Sequence, residues 1–408
     1  MRILYIDVNC KNSSTGKIVY DLYTQARMDG HEAAVCYGRG PVIKEENIYK
    51  FGMDWETCIH AALTRITGWT GRFSPLSTRR LLKFMDEFQP DVIHLHEPHA
   101  YFVNLEPLFR YISEKKIPLV YTLHCEFAYT GKCGHAYACE RWKTGCGNCP
   151  RLREYPKTLW FDHTAAMLRE KEELLAAISK LIIATPSKWL ADRASQSILK
   201  DRDIRIVHNG IDVQNVFHPR EYEYLREKHG LHGERIVLAV APKLMSDSKG
   251  GRWVLKLAEK MSGENVKFIL IGVDDLSEQF PSNVIALGRT SDQRQLAEYY
   301  SLADCFVICS ERENFPTTCL EAFCCGTPVV GFATGGTAET VPAPYGRFCD
   351  FGNVDHLAEL VRSTLADQWF WSTGELADHA ASLYSKNIMY CQYLSIYQEL
   401  MPNQRSNP

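Results

Sequence analysis

Three observations in the sequence predict an α/β fold of two doubly wound, Rossmann-like domains facing a cleft, with a cysteine-rich insertion in the first. Short apolar runs such as "RILYIDV" and "ERIVLAVAP" alternate with segments of helical spacing along the whole chain. Runs of that kind are strands buried on both faces, which is the mark of a parallel sheet covered by helices. The rhythm breaks once, at the polar stretch "NVFHPREYEY", and then restarts. Finally, 408 residues exceed what one hydrophobic core usually serves.

The elements follow in order. "RILYIDV" is a first buried strand. "TGKIVYDLYTQARMDGH" places Ile18, Leu22 and Ala26 on one helical face and ends at Gly30. "EAAVCYG" is a strand, "STRRLLKFMDEFQPDVIHLHEP" a helix then a strand, and "IPLVYTLH" another strand. "SKLIIATPSKWLADRASQ" reads as strand, turn and helix. In the second half, "ERIVLAVAP", "VKFILIGV", "NVIALG", "DCFVICS" and "TPVVGF" are strands. "GRWVLKLAEKM", "QRQLAEYYSLA" and "TTCLEAFCC" are the helices between them. "KNIMYCQYLSIYQELM" is a closing amphipathic helix and "PNQRSNP" a frayed tail. The expected domains are 1–207, with the insertion at 125–160, then 208–385. Residues 386–408 are expected to cross back to the first domain.

The net charge of −3 argues against a nucleic-acid binder. No apolar run reaches the length of a membrane span. The opening run is too short for a signal peptide, so a cytoplasmic location with reduced thiols is expected. Most of the fifteen cysteines then read as small buried hydrophobes, Cys36, Cys305, Cys309 and Cys324 among them.

Ligands of doubly wound folds bind in loops at the carboxyl ends of the strands. "ERENFPTTCLEAFCCGTPVV" joins a strand to a helix there, with Pro316 suited to the first turn and Gly326 to the cap. The N–H groups near Thr317 and Thr318 make a helix N-terminus that favours an anion, phosphate above all. Glu313 and Glu321 flank that site, suited to the sugar and ribose hydroxyls of a diphosphate ligand. They read equally as two exposed acids that favour the helix dipole. In "APKLMSDSKGG", Lys243 and Lys249 stand beside Gly250 and Gly251, so phosphate oxygens can approach closely. Two solvated lysines are the plain alternative. Gly16 opens the first helix, as a ligand-approach loop or a tight turn. His94, His96 and His99 end one strand and His124 ends the next. His94 and His96 are a possible metal pair, and His124 is a cleft residue.

The block "ENFPTTCLEAFCCGTPVVGFATGGTAETV" resembles the C-terminal signature of group 1 (family 4) glycosyltransferases, retaining enzymes of the GT-B fold. "IRIVHNGIDVQNVFHP" resembles their linker and "APKLMSDSKGG" their phosphate loop. "TPSKWLADRASQS" and "YSKNIMYCQYLSIYQEL" also fit. The likeness spans nearly the whole chain. It implies that Glu313 lies near the donor sugar, Glu321 at the ribose and Lys249 at the diphosphate. Lys243 stands where the family commonly has Arg, without the bidentate fork. Asn314, Phe315, Thr317 and Thr318 fall in the donor-binding segment. Gly16 matches the acceptor-domain loop and His124 the histidine near the transferred sugar. The family often has Asp after that histidine; here Cys125 and Glu126 follow. A nucleotide-sugar donor, UDP- or GDP-linked, is implied, with no catalytic metal. So is front-face attack in which the departing phosphate draws the acceptor proton.

"CEFAYTGKCGHAYACERWKTGCGNCP" brings Cys133, Cys139, Cys146 and Cys149 together with His135. Four thiolates suit a structural zinc. Buried free cysteines or a disulfide pair are the alternatives, the pair disfavoured by compartment. Similar insertions mark family members of bacterial exopolysaccharide and colanic-acid-type synthesis. That likeness implies a lipid-linked saccharide acceptor. Trp160 and Phe161 follow, for peripheral contact with the inner membrane or as part of an ordinary helix face. A GT-B type epimerase or hydrolase, or a non-catalytic nucleotide-sugar binding subunit, are the alternative functions.

Overall fold

The computed structural model describes residues 1–367 and 372–401, so the tail "PNQRSNP" lies outside the described residues. The chain divides into two compact units. The first holds residues 1–208 and 389 onward, and the second holds 209–388.

The first unit has strands β1 (Arg2–Asp7), β2 (Glu32–Tyr37), β3 (Ile48–Lys50), β4 (Val92–Leu95), β5 (Leu119–Thr122), β6 (Leu181–Thr185) and β7 (Asp203–Ile206). Its helices are α1 (Ser14–Met28), α2 (Asp54–Thr67), α3 (Pro75–Phe88), α4 (Leu105–Glu114), α5 (Thr164–Ala176) and α6 (Lys188–Ala194). The sheet order is β3-β2-β1-β4-β5-β6-β7, all parallel. The order reverses between β1 and β4. Alternate residues of β1 serve two cores: Leu4 and Ile6 on one face of the sheet, Ile3 and Tyr5 on the other. A strand buried on both faces must be apolar at consecutive positions, which is why these runs do not alternate.

The second unit has β8 (Arg235–Val240), β9 (Val266–Ile271), β10 (Val284–Leu287), β11 (Cys305–Ile308), β12 (Val329–Phe332) and β13 (Gly346–Cys349). Between them lie α7 (Glu223–Lys228), α8 (Gly251–Lys260), α9 (Gln293–Leu302), α10 (Thr317–Cys324), α11 (Val354–Asp367) and α12 (Thr373–Tyr384). The order β10-β9-β8-β11-β12-β13 again reverses, between β8 and β11. Both sheets thus show the mononucleotide-binding winding, in which ligands sit at the reversal. Local sequence starts the helices. Ser13 caps α1, Ser187 caps α6, and Asp292 caps α9 by accepting from Arg294 and Gln295 N–H.

Helix α13 (Lys386–Leu400) packs on the first unit's sheet through Met389, Tyr390, Tyr393, Ile396, Tyr397 and Leu400. The Tyr397 hydroxyl meets His94 Nδ1 at 2.6 Å, and the Tyr393 hydroxyl meets Thr122 Oγ1 at 2.9 Å. Arg205 grips Glu399 with two bonds of 2.6 and 2.7 Å. Among the described residues no helix is long and apolar enough to cross a membrane.

Candidate active site

In the second unit the reversal point gathers the loops after β8 and β11. Lys249 Nζ donates to Glu313 Oε1 at 2.6 Å. Two glycines let the lysine loop settle there. Gly250 has φ +75°, and a Cβ on it would lie 2.0 Å from the Cys309 carbonyl oxygen. A Cβ on Gly251 would lie 2.6 Å from the Leu244 oxygen. Glu311 N–H donates to the Ser248 carbonyl at 3.0 Å, which ties the two loops. A third loop, after β12, clamps the backbone of Glu313: Gly336 N–H donates to its carbonyl at 3.1 Å. Gly335 has φ +60°, and a Cβ there would come within 1.9 Å of that same oxygen. Only glycine fits both positions.

Glu313 is followed by α10, whose first residues Thr317 and Thr318 are partly exposed. Pro316 stands at the cap position, just before the helix. One turn on, Glu321 is buried and accepts from the Tyr300 hydroxyl at 3.0 Å, which fixes its carboxylate. Asn314 is buried as well. The Phe315 ring lies in the core against Tyr384, and its carbonyl accepts from Asn209 Nδ2 at 3.2 Å. A ligand at this loop would therefore meet the backbone of Phe315 rather than its ring. Lys243 is exposed at the start of the lysine loop. The second unit thus sets Lys249 against Glu313 in the loop that leads into α10, with Glu321 one turn along that helix. This is a cationic loop and a helix N-terminus between two acids.

Two further expected site residues, Gly16 and His124, belong to the first unit. Gly16 sits in the first turn of α1, its N–H held by Ser13 Oγ at 3.1 Å. A Cβ there would meet the Asn9 and Cys10 backbone at 3.2 Å, so the glycine permits a close pass of the β1–α1 loop. His124 lies two residues past the end of β5, and its Nε2 pairs with His96 Nδ1 at 2.9 Å. Burial holds both imidazoles below the usual histidine range, His96 strongly so. Their neutral rings can each offer one donor and one acceptor. His94 and His96 do not form a metal pair. Their rings stack at 4.1 Å, but both His94 nitrogens are taken, by Tyr397 and by Thr122 Oγ1 at 2.7 Å. His94 is a core residue.

Two family matches cover most of this architecture. Residues 15–215 match Glycosyltransferase Family 4, and residues 222–382 match Glycosyl transferases group 1. The chain belongs to these glycosyltransferases. A relative from Escherichia coli K12, the "putative colanic acid biosynthesis glycosyl transferase WcaC", is 27% identical over 98% of this chain and 100% of its own. An N,N'-diacetylbacillosaminyl-diphospho-undecaprenol alpha-1,3-N-acetylgalactosaminyltransferase from Campylobacter jejuni is 26% identical over 50% of this chain and 57% of its own. Among solved structures, Anabaena HepE in complex with UDP-glucose aligns at TM-score 0.67 with 16% identity, over 98% of this chain and 100% of that one. Sucrose-phosphate synthase from Thermosynechococcus elongatus aligns at 0.71 with 17% identity, over 98% and 99% of the two chains. These likenesses fix the fold as GT-B, two Rossmann-like domains in one chain.

In this glycosyltransferase the cysteine-rich segment is held by two buried lysine side chains. Lys132 Nζ donates to the carbonyls of Arg151, Leu152, Glu154 and Pro156 at 2.8–3.0 Å. Lys171 Nζ donates to those of Phe127 and Thr130 at 2.6 and 2.9 Å. Glu126 is fully buried and accepts from Arg193 Nε and Ala136 N–H, each at 2.7 Å. Its carboxylate is committed to the insertion, so it does not take the place of the family's Asp beside His124. Of the four cysteines, the Cys133 and Cys149 thiols interact with each other, so one of the pair gives up its proton more readily while the other holds it. No three of the four sulfurs lie within 4.8 Å of one another. The glycosyltransferase does contain one such group among its described residues, Glu97, His99 and Cys125. The sequence offered His99 as one histidine of three, and Glu97 and Cys125 drew no reading as ligands.

Proposed function

We propose that this chain is a retaining glycosyltransferase that moves a sugar from a UDP- or GDP-linked donor to a lipid-linked saccharide acceptor in bacterial polysaccharide biosynthesis. The observation that carries this reading is the meeting of Lys249, Glu313 and the N-terminus of α10 at the second unit's reversal point. Breaking the anomeric bond leaves a diphosphate with added negative charge. Lys249, with Lys243 beside it, and the N–H groups at Thr317 and Thr318 stabilise that charge. Preorganised donors of this kind are usually the largest catalytic contribution. Glu313 orients the sugar hydroxyls, and Glu321, fixed by Tyr300, takes the ribose. The leaving phosphate draws the acceptor proton on the front face. By their match to the family's motifs, His124 is assigned to the transferred sugar and Gly16 to the acceptor.

The acceptor class is supported by the whole-chain likeness to the colanic acid protein and by the Campylobacter relative, whose name gives a diphospho-undecaprenol sugar. Trp160 and Phe161 are exposed, as suits peripheral contact with the membrane bearing such an acceptor.

The test is a donor panel with a polyprenyl-diphosphate saccharide acceptor in vesicles and product stereochemistry by NMR. Lys249→Ala and Glu313→Ala should each lower kcat by about 10²–10³. The product should keep the donor's anomeric configuration. Trp160→Ser with Phe161→Ser should lower sedimentation with the vesicles. An inverted product, or full turnover in both alanine variants, overturns the proposal.

A further inference from the structure

The first unit holds a second convergence of chemical groups, at the carboxyl ends of β4 and β5. Glu97 follows β4 by two residues, His99 lies two further on, and Cys125 follows β5. His99 Nε2 lies 3.4 Å from Cys125 Sγ and 3.6 Å from Glu97 Oε1. All three ligand atoms fall within 4.8 Å of one another.

Two protein-only readings of this triangle fail. In a nucleophile–histidine–acid relay the acid binds the ring nitrogen opposite the nucleophile. Here sulfur and carboxylate face the same nitrogen, which has one proton at most. An imidazolium between two anions fails for another reason. Its Nδ1 would also carry a proton, and His99 Nδ1 is buried with no hydrogen-bond partner among the described residues. A buried unmet donor on a charged ring is costly. A neutral imidazole whose Nε2 lone pair, a thiolate and a carboxylate point to one centre needs neither the relay geometry nor a buried charged ring, and its Nδ1 keeps one proton as it does in the imidazolium.

The spacing fits a metal at that centre. Zinc–ligand bonds of about 2.0–2.1 Å to N or O and about 2.3 Å to S, at tetrahedral angles, hold the donor atoms about 3.3–3.6 Å apart. We infer that Glu97, His99 and Cys125 form a binding site for one zinc-class divalent cation. One nitrogen, one oxygen and one sulfur suit a borderline-soft ion rather than magnesium or calcium. The fourth position is left to water. The side chains of His99 and Glu97 are 15% and 16% exposed, and Cys125 is 9% exposed, so an ion can enter from solvent. Phe127 and Tyr155 pack against the His99 ring, with centroids at 5.2 and 6.4 Å, and form an apolar wall. Asp7, fully buried, accepts from Glu97 N–H at 3.2 Å and holds the strand end that carries two of the ligands. Binding releases the Cys125 proton to solvent.

The site is tested with the full-length protein, stripped by chelator and titrated with Co²⁺ in the absence of any sugar donor. The expected result is one equivalent with a thiolate-to-cobalt charge-transfer band that vanishes in Cys125→Ser. Affinity for that equivalent should fall at least about tenfold in Glu97→Gln, which keeps the side chain's shape, and in His99→Asn. Circular dichroism checks that the variants fold, and Glu97→Gln alone suffices if Cys125→Ser does not. In Cys133→Ser/Cys149→Ser the Cys125-dependent equivalent should persist, which separates it from any ion held by the insertion. Wild-type protein that binds no Co²⁺ through a thiolate overturns the inference. So does wild-type stoichiometry and spectrum in both Cys125→Ser and Glu97→Gln.

Discussion

His60 is fully buried, yet both its ring nitrogens are satisfied. Nε2 accepts from Gly71 N–H at 3.1 Å, so Nδ1 carries the proton and donates to Ser74 Oγ at 2.7 Å. Ser74 in turn donates to the Tyr101 carbonyl. This chain of bonds needs a neutral ring, and burial pushes its pKa down to about 4. The folded value lies below the unfolded one, so between about pH 6.5 and 4 the unfolded chain binds a proton that the folded one refuses. Stability therefore falls as pH drops through that window, by about 2 kcal/mol at pH 5 from this group. Urea unfolding at pH 7 and pH 5 should show the loss, and His60→Gln should remove that part of it. Equal pH dependence in the variant would contradict the assignment. At this scale the sequence was only partly legible. Spacing left Glu313 and Lys249 open and the family resemblance singled them out, and they lie in adjoining loops of one sheet. Spacing could not mark Glu97, His99 and Cys125, whose meeting depends on the β4–β5 register, with Leu95 opposite Tyr121. Nor could it show that Glu126 was spent on Arg193, 67 residues away.

Helices and strands were more legible where a side-chain pattern dictates them. Runs such as Ile236–Val240 and Leu181–Thr185 admit little but a buried strand, because every position is apolar or small. Short elements were not. β3 has three residues, and β13 begins at a glycine and carries an arginine. β3 favours a strand through Ile48 and Tyr49 but is too short to show a pattern, and β13 is a strand because a neighbour supplies the hydrogen bonds. The lysine loop is an element whose shape rests on glycine, and this can be measured. Gly250→Ala should cost about 1–2 kcal/mol in backbone strain. It should also drive the loop off Cys309 and so raise the KM for the sugar nucleotide. Gly230 is a control with φ +63°, where an added methyl would have nothing within 4 Å. Gly230→Ala should carry the strain alone and leave KM unchanged. If both variants gave the same kinetics, the close approach to Cys309 would not be what positions Lys249.

Over the whole molecule, the chain enters the second unit at residue 209 and leaves it at 388 to finish the first. The six buried side chains of α13 are then part of the first unit's core. Each contributes about 1.5–3 kcal/mol, so together they supply roughly 10 kcal/mol, comparable with the net stability of a domain. A chain stopped after Ser385 should have a protease-sensitive first unit, while a fragment near 209–385 survives trypsin. Digestion read by mass spectrometry checks this, and an unchanged pattern would refute it. The return of the chain also sets a timetable for synthesis. Nearly all of residues 209–388 leave the ribosome before the part of α13 that packs on the first unit, so the unit whose segment is continuous can reach its final state first. The unit encoded at the start must wait, with part of one face of its sheet uncovered, for a helix translated after its neighbour, an inversion of the usual N-terminal-first order.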